Sequence, residues 1–252
     1  MAPVIGKGAD IVIDTVAFDV AHGDQLLRVQ ADVGAFFVIS SSSVYCDDRG
    51  RTLDEARGAE FPDLPQPMTE AQATVAPGPE TYSTRKVALE RRLLDGASRP
   101  VIILRPGAIH GVGSSHAREW WFVKRMLDGR VNIPLAYRGE SLFHTTSATN
   151  IARLIDFAAR APTTRILNVA DDRCLSVTEI GAAIGGHLDF KGNLVPIDTD
   201  AGAYPAPIGS TPWSIPSPFV IDCTAAGCVR QVLQKGRPRG WSCGLAQSEL
   251  LV

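Results

Sequence analysis

The chain has 252 residues, 45% of them hydrophobic, which is enough for one domain or a domain with a small lobe. Its 25 basic residues against 27 acidic ones leave a net charge of −2, so there is no electrostatic reason to expect nucleic acid or an anionic membrane surface as partner. No apolar run approaches the roughly 20 residues that span a bilayer, no secretory signal is visible at the N-terminus, and a cytoplasmic setting is expected.

Residues 10–18 (DIVIDTVAF) are apolar and β-rich and read as a buried strand. Residues 22–30 form a short helical stretch, and 35–40 (AFFVIS) a second buried strand that ends in a serine run. Strand, helix, strand within about thirty residues is a βαβ unit and implies a parallel sheet. Residues 46–79 are polar and proline-rich and make a long loop of the kind that is usually functional or mobile. A helix is predicted over 80–94 and a third buried strand over 101–104, stopped by Pro106 and Gly107. Helices are predicted over 120–127 and 147–159 and a strand over 165–170; Ser176 with Glu179 has capping-box spacing and starts another helix. Residues 198–218 are irregular and rich in proline. The alternation predicts an α/β, doubly wound parallel sheet. The five cysteines, Cys46, Cys174, Cys223, Cys228 and Cys243, are odd in number and form no CxxC pair, so neither a disulfide framework nor a metal site is expected.

Tyr82 and Lys86 make a YxxxK motif. On a helix these positions share a face, so phenol and ammonium point the same way. An unperturbed tyrosine, with a pKa near 10, is a poor base, and a nearby cation favours its phenolate. Alone the motif is weak, because many surface helices carry it by chance. Its neighbours sharpen it: Ser40-Ser41-Ser42-Ser43-Val44-Tyr45 at a strand end upstream, and Leu104-Arg105-Pro106-Gly107-Ala108-Ile109-His110-Gly111 downstream.

In that order the three segments resemble the extended short-chain dehydrogenase/reductase family, whose members include NAD-dependent epimerases and dehydratases of nucleotide-sugars. The resemblance implies a catalytic Ser41, Tyr82 and Lys86. Tyr82 is the general acid/base, Lys86 holds the nicotinamide ribose and lowers the tyrosine pKa, and Ser41 binds the reacting oxygen; Ser40 and Ser42 stay open as alternatives to Ser41. It implies a cofactor, NAD or NADP, passing over Thr15, Val16 and Ala17 and against Pro106, Gly107, Ala108 and Ile109. His110 stands where the family usually has tyrosine and either faces substrate or fills a loop. Arg118 and Arg138 are candidates for a nucleotide diphosphate, because guanidinium suits phosphate. Trp120-Trp121-Phe122 reads as lobe core, and Asp171-Asp172 as loop.

The family begins with a strand and a glycine-rich loop whose helix N-terminus receives the pyrophosphate. Gly6 and Gly8 precede a strand and do not make that loop. Residues 10–18 match the family's fourth strand, so the chain reads as N-terminally truncated, with an open sheet edge at 10–18 and weakened NAD binding. The expected organisation is a partial Rossmann-like domain (1–112 and 140–172), a substrate lobe (113–139 and 173–226) and a divergent tail (227–252). The first reading is an epimerase/dehydratase-like oxidoreductase acting on a nucleotide-sugar or related alcohol. The second is a non-catalytic relic or binding module. Ser42-Ser43 stand where a dehydratase of the family has an acidic pair, which argues mildly against elimination. Pairing of two copies through helix 80–94 is a further expectation.

Overall fold

Residues 33–39 (VGAFFVI) are apolar at almost every position, as a strand covered on both faces must be. In the computed structural model, which describes residues 5–57, 60–198 and 208–227, they form the second of four parallel strands. Two compact units emerge. Among the described residues the first comprises 5–57, 60–107, 149–170 and 221–227, and the second 108–148, 171–198 and 208–220.

The first unit is a parallel sheet in the order β1 (Ala9–Asp14), β2 (Val33–Ile39), β3 (Val101–Pro106), β7 (Arg165–Val169). The crossovers are α1 (Val20–Leu27), α2 (Tyr82–Gly96) and α4 (Ala148–Ala158). Alternation along β2 sends Phe36 and Val38 to one face, against Leu26 and Leu27 of α1 and Leu89 and Leu93 of α2. Ala35, Phe37 and Ile39 go to the other face, against Ile151, Leu154 and Ile155 of α4. The sheet is therefore wound on both sides, as the sequence predicts. Each fully buried phenylalanine contributes about 1.5–3 kcal/mol.

β1 is shorter than predicted and is not buried. It ends at Asp14 because that side chain accepts from the amides of Val16 (2.8 Å) and Ala17 (2.7 Å), which turns the chain out of the sheet. Among the described residues β1 pairs with β2 alone, and as an edge strand it leaves Ile13 51% exposed. α2 starts two residues later than predicted, since Thr81 and Thr84 form a reciprocal capping box. The 46–79 segment holds one short 3-10 turn (Glu55–Arg57) and is stapled by side chains: Asp47 accepts from Arg51 and from the Asp63 amide, and Glu55 from both the amide and hydroxyl of Thr52.

The second unit holds two small parallel pairs, β4 (Ala108–His110) with β6 (Thr145–Ser147) and β5 (Asn132–Leu135) with β8 (Asn193–Pro196). None was predicted; strands of three or four residues are too short to show a period. Helices α3 (Trp120–Leu127) and α5 (Val177–His187) pack through Phe122, Met126, Ile180 and Ile184 around Trp213. Gly181 is needed there, because a Cβ would lie 2.6 Å from the Phe122 ring. Phe122 and Trp121 join this core, whereas Trp120 is 55% exposed, so the aromatic triplet is only partly core. The capping box at Ser176 and Glu179 is present. Among the described residues Cys46 and Cys174 are free thiols, and no cluster of metal-ligating side chains and no helix long and apolar enough to cross a membrane occurs. The predicted tail lies, from Cys228 onward, outside the described residues, as do residues 199–207 of the irregular stretch.

Candidate active site

The first turn of α2 meets the serine run after β2. Tyr82 is the first helical residue, 41% exposed, its ring tilted against Phe18 at 5.5 Å. Lys86, one turn on, is 6% exposed, and its Nζ donates to the carbonyls of Ala17 (2.6 Å) and Ile39 (3.0 Å). The same Nζ lies 5.8 Å from the centre of the Tyr82 ring. Lys86 thus ties the turn after β1 and the end of β2 to α2, with two of its three donors engaged. Burial depresses its pKa, and the charges of Asp14 and Glu90 work against that.

The four serines are not equivalent. Ser40 is buried and donates to Glu90 (2.5 Å), and Ser42 is buried within a 3-10 turn. Ser41 caps that turn and is the serine whose side chain acts on the Tyr82 phenol. Its hydroxyl donates to Ser43 Oγ (2.9 Å). Burial pushes the Tyr82 phenol above its ordinary value of 10.0, the neighbouring Ser41 side chain works to lower it, and the charge of Asp54 works to raise it.

Of the other predicted positions Ala17 adjoins the corner through its carbonyl, and the rest fall in both units. Thr15 and Val16 are exposed and Ala17 is fully buried. Pro106 ends β3, and Gly107 donates to the Val169 carbonyl (3.1 Å). Ala108 is buried and Ile109 half-exposed in the second unit. Arg118 donates to the Ile109 carbonyl (2.9 Å), and Arg138, in a left-handed backbone conformation, makes an exposed pair with Glu140. His110 is 4% exposed, and its Nε2 lies 2.8 Å from Asp171. Asp171 also accepts from the Thr145 hydroxyl (2.7 Å) and the Ser147 amide (2.9 Å). Burial works to raise its pKa, but the bonds from His110 and Thr145 outweigh that and hold it at about 2.

Sequence reasoning missed two features. Glu90 forms a bidentate buried pair with Arg105 (2.5 and 3.1 Å), both 4% exposed at the side chain. The signal was there: Glu90 continues the four-residue spacing of Tyr82 and Lys86. The Asp171–His110 pair had no local signal, because 61 residues separate its partners.

No family model matches the chain, and no curated protein does. Solved structures do. MoeE5 in complex with UDP-glucuronic acid and NAD is 22% identical, with a TM-score of 0.56 over 84% of this chain and 64% of that one. UDP-glucuronic acid 4-epimerase from Bacillus cereus, in complex with UDP-glucuronic acid and NAD, is 16% identical, with a TM-score of 0.59 over 84% and 60%. UDP-N-acetylglucosamine 4-epimerase from Methanobrevibacter ruminantium M1, in complex with UDP-N-acetylmuramic acid, is 15% identical, with a TM-score of 0.63 over 87% and 70%. The fold is that of the nucleotide-sugar epimerases. The expected resemblance to the extended short-chain dehydrogenase/reductases holds at the level of fold, and the chain spans less than two thirds of the length of MoeE5 and the B. cereus epimerase. Set in the epimerase fold, the Ser41–Tyr82–Lys86 corner fits the ribose end of a nicotinamide nucleotide: a buried ammonium with a donor to spare stands beside a phenol that can be reached from outside. A glycine-rich turn of the kind that holds a pyrophosphate is not found among the described residues.

Proposed function

We propose that the chain carries the catalytic corner of an NAD-dependent nucleotide-sugar epimerase of the extended short-chain dehydrogenase/reductase family. The observation that supports this most is the meeting of Ser41, Tyr82 and Lys86 at the C-terminal edge of a parallel sheet, where open α/β folds bind their ligands. NAD, when bound, supplies the hydride acceptor. Tyr82 takes the proton from the sugar hydroxyl and returns it, Ser41 holds the reacting oxygen, and the remaining Lys86 donor goes to the nicotinamide ribose. Thr15 to Ala17 and Pro106 to Ile109 line the cofactor. Arg118 and Arg138 are the diphosphate candidates; His110, buried and bound to Asp171, is assigned to the frame of the second unit instead of to substrate. The absence of an acidic pair after Ser41 favours epimerisation over dehydration. Residues 1–112 with 140–172 as cofactor domain, 113–139 with 173–226 as substrate lobe, and self-association through α2 belong to the same proposal.

The test is to incubate the chain with NAD and UDP-glucuronic acid, UDP-glucose or UDP-N-acetylglucosamine and follow inversion at C4 by NMR. The reading expects turnover of one of these, reduced by about 100-fold or more in Tyr82→Phe. Turnover unaffected by Tyr82→Phe contradicts the role of Tyr82, and no turnover of any of the three contradicts the epimerase reading for this chain.

A further inference from the structure

The 46–63 segment reaches the catalytic corner through one side chain. Asp54 Oδ2 accepts the Ser83 amide at 2.8 Å, the second residue of α2 and the neighbour of Tyr82. The Ser83 side chain is fully buried, and its hydroxyl donates to the Ser43 carbonyl (2.9 Å), with the Ser43 hydroxyl also in reach at 3.2 Å. Ser43 Oγ is the acceptor for the Ser41 hydroxyl, and the Ser43 amide donates back to Ser41 Oγ at 3.1 Å. One continuous set of hydrogen bonds therefore runs from Asp54 through Ser83 and Ser43 to Ser41, around the base of Tyr82. Asp54 is itself held: its amide donates to Thr52 Oγ1, and Thr52, fully buried, is held by Glu55. An acidic group at a helix N-terminus is also favoured by the exposed amides and the helix dipole there.

We propose that Asp54 is a positioning residue for the catalytic corner, fixing the first turn of α2 and, through Ser83 and Ser43, the hydroxyl of Ser41 relative to Tyr82. This rests on the proton-transfer role assigned to Tyr82 above. The long loop is then part of the active site instead of a surface connection. Asp54 also sets a negative charge near the Tyr82 phenol. Lys86, from the same helix, faces the Tyr82 ring at 5.8 Å; Arg85 sits over Phe18, which packs on Tyr82; Asp54 is the anion brought in by the loop. With Asp54 charged, loss of the phenolic proton is opposed, as it is by burial. Neutral Ser43 and Ser83 carry the geometry and add no charge.

The test needs no turnover. The chain is prepared with 13C-labelled tyrosine, and the Tyr82 signal is assigned with Tyr82→Phe. Asp54→Asn keeps an acceptor and removes the charge; Asp54→Ala removes both; Asp54→Glu restores the charge. The expected result is a Tyr82 titration moved to lower pH in Asp54→Asn and back toward wild type in Asp54→Glu, with the titration of Tyr45 unmoved. Hydrogen exchange at the Ser83 amide should be at least about tenfold faster in Asp54→Ala, since a hydrogen bond to a charged group is lost. If Asp54→Ala does not fold, the titration of Asp54→Asn decides. An unchanged Tyr82 titration in folded Asp54→Asn overturns the proposal, as does Ser83 exchange unchanged in folded Asp54→Ala. Because both readouts are independent of catalysis, an inactive chain leaves this inference standing, and an active one does not rescue it.

Discussion

Two buried cations, Arg105 of β3 and Lys86 of α2, are held in opposite ways. Arg105 meets Glu90 in a bidentate pair that Ser40 completes, so charge is matched to charge and both groups are closed off. Burial alone would lower the Arg105 pKa, but Glu90 holds the guanidinium firmly charged. One turn earlier on α2, Lys86 is almost as buried but is held by two neutral carbonyls, with Asp14 and Glu90 acting only through space. In the first arrangement the guanidinium has a carboxylate in direct contact; in the second the ammonium has none and keeps one donor. The first group joins sheet to helix through an ion pair; the second is the one to which the proposed function gives a ligand contact.

That contrast can be broken by substitution. The largest effect is expected from Glu90→Ala, which strands a buried guanidinium and should cost about 3–5 kcal/mol in urea unfolding. A loss below 1 kcal/mol, on the order of a surface pair, would mean the two cations are not differently held. The second unit offers a comparison, since Asp171 is also a saturated carboxylate. Its pKa in the folded chain is about 2, against an ordinary 3.8. Its contribution is therefore present above the ordinary value and lost as pH falls from there toward 2. Roughly 2 kcal/mol of acid-dependent stability should disappear from the pH profile of Asp171→Asn; a profile with the same slope between pH 4 and 2 would argue against it. The smallest change is expected for Lys86→Met. Replacing a desolvated charge with an apolar chain of similar length should shift stability by no more than about 1 kcal/mol in either direction. A loss as large as that of Glu90→Ala would make Lys86 structural.

Much of this architecture was legible in the sequence. The strands read at 35–40 and 101–104 are apolar runs because both faces are covered, and that pattern is visible without coordinates. The spacing of Tyr82 and Lys86 put both on one helical face, as the structure has them. The misses have physical reasons. The length of β1 was set by an aspartate side chain capturing two amides, which apolar pattern does not report. The second unit's strands are too short for a period. Asp54 and Asp171 act across 29 and 61 residues of chain, and nothing local marks a carboxylate whose partner is that distant.

In the proposed function Lys86 is a charge held ready for the ribose of a nicotinamide nucleotide. Saturation-transfer NMR of NAD with the folded chain tests it directly, because it detects weak binding and reads each end of the dinucleotide separately. Transfer to the nicotinamide-ribose protons is expected in the wild type, lost in Lys86→Met and kept in Tyr82→Phe. Absence of transfer in the wild type, or equal transfer in Lys86→Met, would contradict it.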